Sequence, residues 1–134
     1  MNSYLSITLI FILCVLTIVT YGSFRCKVKD FKDPLAGSLV PAPFNSFLDG
    51  WGILHFILYG VLAYLFPRFY PLLFIWIGGV IWELIESIFK DHPFYISKCN
   101  YVIDTDKGSW WYGRWQDIVM NSLGMMCGYY IRRK

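Results

Sequence analysis

The stretch VIWELIESIFK, Val80 to Lys90, sets two glutamates three residues apart near the end of a run that otherwise reads as a membrane-spanning helix. A charged side chain in hydrocarbon is costly, so Glu83 and Glu86 require partners or water. Upstream, the tight turn PRFYP, Pro67 to Pro71, joins this run to another apolar one, FLDGWGILHFILYGVLAYLF, Phe47 to Phe66. A connection that short makes the two runs antiparallel neighbours. Within Phe47 to Phe66 the polar interruptions are Asp49, near the start, and His55, about two turns inside.

Two further runs complete the pattern. YLSITLIFILCVLTIVTY, Tyr4 to Tyr21, carries no charge and is long enough to cross a bilayer core as a helix. No positive segment precedes it and no A-x-A site follows, so it reads as a retained helix and not as a cleaved signal peptide. The last run, Trp115 to Ile131, follows GSWWYGRWQD, whose Trp110, Trp111, Tyr112 and Trp115 form an aromatic interface belt, and it ends in Arg132, Arg133 and Lys134. The expected fold is therefore all-α: one polytopic membrane domain, a compact bundle of four transmembrane helices spanning residues 4–21, 47–66, 72–89 and 115–131, with loops 22–46 and 90–114 on one face.

Composition points the same way. With 57% hydrophobic and only 16% charged residues, a chain of 134 residues belongs to the membrane class. Its basic residues flank the apolar runs and form no stripe on a soluble element, which excludes nucleic acid as a partner. The cysteines form no C-x-x-C pair, which argues against structural zinc. Cys26 and Cys99 lie in the two longer polar loops, so a disulfide between them is open if those loops face an oxidising compartment.

Connectivity divides the polar residues unevenly. The N-terminus, the Pro67–Pro71 turn and the C-terminus share one face, A, and the two long loops share the other, B. Asp49, His55, Glu83, Glu86, Asp117 and Asn121 all fall at the face B ends of their helices, about 5 to 10 Å deep at 1.5 Å per residue. Glu83 and Glu86 share a helical face at i, i+3, and His55 and Tyr59 do so at i, i+4. Asp117, Asn121, Gly124 and Gly128 make a polar and small stripe that lets another helix approach closely. Turned inward, these stripes bring several carboxylates into one poorly solvated site, where either protonation or a bound cation must relieve their repulsion. Oxygen ligands of this kind suit Ca²⁺, Mg²⁺ or Mn²⁺, and His55 is placed to act as a general base. The plainer alternative has Glu83 and Glu86 pairing with His55, Arg114 or Lys90 to fix helix register.

The basic residues set the orientation. Face B loops hold Arg25, Lys27, Lys29, Lys32, Lys90, Lys98, Lys107 and Arg114, against Arg68, Arg132, Arg133 and Lys134 at face A. The positive-inside rule then puts face B, and the polar cluster, in the cytosol.

These motifs carry family resemblances. DIVMNSLGMMCG, Asp117 to Gly128, resembles the last-helix signature of the VanZ-like small membrane proteins, and the order of His55, WELIES and YGRWQDIVMNS is similar to a related uncharacterised bacterial membrane family. The succession LHF, ELIE and WWYGRWQD, carrying His55, Glu83, Glu86, Trp110, Trp111 and Asp117, also looks like the site of base-exchange phosphatidylserine synthases, although this chain is far shorter. That likeness implies a divalent-metal-dependent enzyme acting on a lipid or lipid-linked head group. His55 is then the catalytic base, Glu83, Glu86 and Asp117 the metal ligands, and Asp49 and Asn121 supporting residues. The VanZ-like likeness implies instead a non-enzymatic scaffold or accessory protein that binds an amphiphile.

Overall fold

The computed structural model describes residues 3–27, 33–35, 37–41, 47–89 and 113–134. These form four helices: α1 (Ser3–Lys27), α2 (Gly50–Leu65), α3 (Phe69–Phe89) and α4 (Trp115–Arg133). The expected all-helical class is present. Of the four, α1 and α3 contain stretches, Ser3–Phe24 and Phe69–Ile88, long and apolar enough to cross a membrane. Helix α2 is apolar but has only 16 residues, about 24 Å of rise, and α4 is diluted by Gln116, Asp117, Asn121 and its terminal arginines.

The helix bounds differ from the sequence expectation for identifiable reasons. Nothing between Gly22 and Lys27 breaks a helix, so α1 runs six residues past Tyr21. Asp49 ends the preceding loop by capping α2: its backbone is extended and its Oδ1 accepts the Gly52 N–H at 2.7 Å, which leaves Phe47 and Leu48 outside the helix. Pro71 lies in the first turn of α3, where its missing N–H costs nothing, and the turn contracts to residues 66–68. Trp110, Trp111 and Tyr112 of the aromatic belt, and Cys99 of the disulfide considered above, lie outside the described residues.

Helices α2 and α4 make the closest contact. A Cβ added at Gly124 would strike the Phe56 carbonyl, and one at Gly128 would strike the Gly60 carbonyl, so the two backbones touch where the glycines face each other. His55 pairs with Asn121, Phe56 with Gly124 and Gly60 with Gly128, an order that rises together and makes the helices parallel. Helix α3 runs the other way: Gly79 faces Tyr59, and Glu83 faces His55. The Trp76 indole N–H donates to Ser122 Oγ at 3.0 Å, tying α3 to α4. Helix α1 lies along α3, with Phe11 against Gly78 and Tyr4 edge-on to Phe74. Ile7, Tyr59, Leu62 and Ile75 form the buried core between them, while Leu13, Leu16, Ile57, Ile81 and Met126 remain exposed.

At the end where α2 and α4 begin, Asp33 fastens α1 to α2. It accepts from Tyr21 Oη at 2.7 Å, from the Leu35 N–H at 2.9 Å and from the Trp51 indole at 3.0 Å. Tyr21 and Trp51 also meet edge to face. The returning chain bridges Ser38 to Asp49, so the loop is tied to the cap of α2.

Candidate functional site

The polar residues meet at this same end. Parallel α2 and α4 bring Asp49 and Asp117 together at their starts, and antiparallel α3 delivers Glu83 between them from its last two turns. Asp49, Glu83, Asp117 and Asn121 are all buried. Three acidic groups gathered at the ends of three helices need a counter-charge, and Arg114 supplies one.

Arg114 immediately precedes α4. Its Nε donates to Asp117 Oδ2 at 2.9 Å and its Nη2 to Asp117 Oδ1 at 3.0 Å, the side-on fork of a bidentate pair. Nη1 donates to Asp49 Oδ2 at 2.6 Å, and Nη2 also reaches Asp49 Oδ1 at 3.2 Å. Burial opposes the charge on this guanidinium, but its hydrogen bonds to Asp49 and Asp117 outweigh that and raise its pKa above the ordinary arginine value. It is a permanent cation clamped between two helix starts.

Gly113 makes this placement possible. A Cβ at Gly113 would collide with the Glu83 backbone carbonyl and crowd Ser87 N at 3.0 Å, so only glycine lets the chain pass α3 this closely. The Arg114 N–H then donates to Glu83 Oε2 at 2.9 Å. The other oxygen, Glu83 Oε1, is buried and has no hydrogen-bond partner among the described residues. It lies 3.8 Å from His55 Nδ1, beyond hydrogen-bond reach.

His55 is oriented from the opposite side. Its Nδ1 lies 2.9 Å from Asn121 Oδ1, and its ring stacks on Tyr59 with centroids 6.4 Å apart. An amide oxygen accepts but cannot donate, so this contact keeps the proton on Nδ1 and leaves the lone pair on Nε2. Ligand-type atoms of His55, Glu83 and Asp117 all lie within 4.8 Å of one another. Oxygens about 2.3–2.6 Å from a calcium ion can stand about 5 Å apart across it, so this spread is compatible with one cation. The orphaned Glu83 oxygen is the donor such a cation would satisfy.

Of the residues expected to act together, the structure gathers His55, Glu83 and Asp117 in that cluster. Asn121 contacts the histidine, and Asp49 serves as helix cap and arginine partner. Glu86 lies outside the three-residue group; it accepts a hydrogen bond from the Trp82 side chain, one turn back on α3. In the sequence alone Arg114 is a loop charge and one possible partner of the glutamates. Its central position has a local signal, the i, i+3 spacing to Asp117, but its link to Asp49 spans 65 residues and has none. Nothing in the local sequence marks the close approach at Gly113 or the contacts of Asp33 with Tyr21 and Trp51.

Comparison of the chain with protein-family models, with curated proteins and with solved structures returns no match.

Proposed function

We propose that this chain is a multi-pass membrane protein of four spans that binds a divalent cation beside His55 and acts on the head group of a membrane lipid. The observation that carries this reading is the buried Glu83 Oε1, which has no hydrogen-bond partner among the described residues, in a cluster where Glu83, His55 and Asp117 each offer one ligand-type atom within 4.8 Å of the others. Glu83 and Asp117 hold the cation, with Glu86 as a reserve carboxylate on the same helix, and Asp49 and Asn121 support from α2 and α4. Ca²⁺, Mg²⁺ or Mn²⁺ fits such a donor set, and when bound supplies charge stabilisation at a phosphate oxygen. His55, with its Nε2 lone pair, takes a proton from a hydroxyl or water as that oxygen bonds to the head-group phosphorus, and returns the proton to the oxygen of the departing head-group alcohol as its P–O bond breaks. The exposed apolar faces of the helices are suited to lipid, and in a four-span arrangement the cluster would stand one to two turns below a membrane surface, at the depth of a head group. The likeness of the His55, Glu83, Glu86 and Asp117 motifs to base-exchange phosphatidylserine synthases supports a transfer reaction.

A second reading rests on Arg114. Because its guanidinium satisfies both oxygens of Asp117 and of Asp49, the acids also serve as a latch between α2 and α4, as in a VanZ-like scaffold with no catalytic role. Two measurements separate the readings. Thermal unfolding of the purified protein in detergent is expected to shift upward with Mn²⁺ or Ca²⁺, by about 3 kcal/mol of stabilisation at a hundredfold excess over Kd, and Glu83→Gln is expected to abolish the shift. Lipid profiling of cells carrying Glu83→Gln or His55→Ala at wild-type protein level is expected to show a changed phospholipid class. A protein indifferent to cations, with an unchanged lipid profile in both variants, belongs to the scaffold reading.

A further inference from the structure

The cation cluster and the arginine latch share one carboxylate. Both oxygens of Asp117 accept from Arg114, at 2.9 and 3.0 Å, and Asp117 is also a member of the cluster with His55 and Glu83. Nε and Nη2 of Arg114 already take one lone pair on each Asp117 oxygen, so a divalent ion at Asp117 competes with this bidentate pair and sets its charge against the guanidinium. The Glu83 oxygen that has no hydrogen-bond partner among the described residues, on a side chain only 4% exposed, is a ligand atom such an ion could take.

We propose that Arg114 is the occupant a divalent cation displaces, and that the displaced guanidinium then binds the phosphate of the head group. This rests on the cation site proposed above. Two features keep the arginine in place during the exchange. Its Nη1 remains paired to Asp49 Oδ2 at 2.6 Å, and its backbone N–H remains on Glu83 Oε2 at 2.9 Å. Loss of Asp117 therefore frees Nε and one Nη2 hydrogen while the guanidinium stays anchored beside the cation. A planar fork with two adjacent donors matches two phosphate oxygens. The cation takes the acid that the arginine gives up, and the phosphate takes the arginine that the acid gives up. Cation and phosphate accordingly bind with positive coupling, each favouring the state the other needs.

The test is Mn²⁺ affinity, read by electron paramagnetic resonance on the full chain in detergent at matched free Mn²⁺. Titrations are run alone, with inorganic phosphate, and with short-chain phosphatidic acid. In the wild type, Mn²⁺ is expected to bind weakly alone and about tenfold tighter with a phosphate source. Tightening by inorganic phosphate identifies a free anion as sufficient; tightening by phosphatidic acid alone identifies a lipid-borne one. In Arg114→Gln, Mn²⁺ alone is expected to bind more tightly than in the wild type, because its competitor is gone, and phosphate is expected to add nothing. Arg114→Lys keeps a charge without the fork, folds if the variant with glutamine does not, and is expected to retain less than half the coupling in logarithmic terms. Equal Mn²⁺ affinity in wild type and both variants, or coupling that survives undiminished in either of them, overturns the exchange while leaving the cation site standing. Absence of Glu83-dependent Mn²⁺ binding in every protein removes the cation site itself, and the exchange with it.

Discussion

Asp49 holds two positions at once. It caps α2 through Gly52 and pairs with Arg114 across 65 residues of chain, so its variants should separate the two roles. Asp49→Asn keeps a capping oxygen but loses the charge; Asp49→Ala loses both. Thermal unfolding in detergent is expected to rank them wild type, then asparagine, then alanine. The step from asparagine to alanine should be about 1 kcal/mol, the usual value of a cap. Equal stability of the two variants would show that the cap contributes nothing. The legibility of single residues follows the same division. Glu83, His55 and Asp117 can be read as neighbours because helical rise fixes depth and i, i+3 or i, i+4 spacing fixes direction. Arg114 and Gly113 cannot, because their contacts with Asp49 and Glu83 depend on how the chain returns after α3, which no local period encodes. Asp33 escapes notice for the same reason, since Tyr21 and Trp51 reach it from different helices.

Between helices, small residues decide the geometry. Gly124 and Gly128 on α4 let the α2 backbone come into contact, and their spacing with Asp117 and Asn121 already marks one inward stripe. A methyl group at Gly128 meets the Gly60 backbone, which cannot yield as a side-chain tip could. Gly128→Ala is expected to destabilise the protein by about 1–3 kcal/mol, the range for overpacking a close contact. A thermal midpoint equal to that of the wild type would show that α2 and α4 do not meet at Gly60. The sequence pattern foretells a close neighbour for this stripe without saying which helix it is. The short turn at residues 66–68 pairs α2 with α3, yet it is α4, separated from α2 by the whole of α3, that lies against its backbone. Element ends were less legible than element identities: Asp49 reads equally well as the first polar residue of a long helix or as the cap of a shorter one.

For the whole molecule, the alternation of direction from α1 to α4 puts the 66–68 turn at the end opposite the polar cluster. Charge counts then carry the orientation: face B is expected to lie in the cytosol, with Arg68 on the other side. A single cysteine at the exposed Arg68, with the native cysteines replaced by serine, should react with an impermeant maleimide added outside intact cells. Labelling only after the membrane is opened would reverse the orientation. The helix directions also give the cluster an electrical polarity. Parallel α2 and α4 present their N-terminal ends there, each worth about half a positive charge, while α3 presents the negative end of its macrodipole. Asp49 and Asp117 are thus carboxylates at positive helix ends, and Glu83 and Glu86 are carboxylates at a negative one. A zwitterionic head group bound as proposed would meet a field with a direction, its anionic part favoured toward α2 and α4 and its cationic part toward α3.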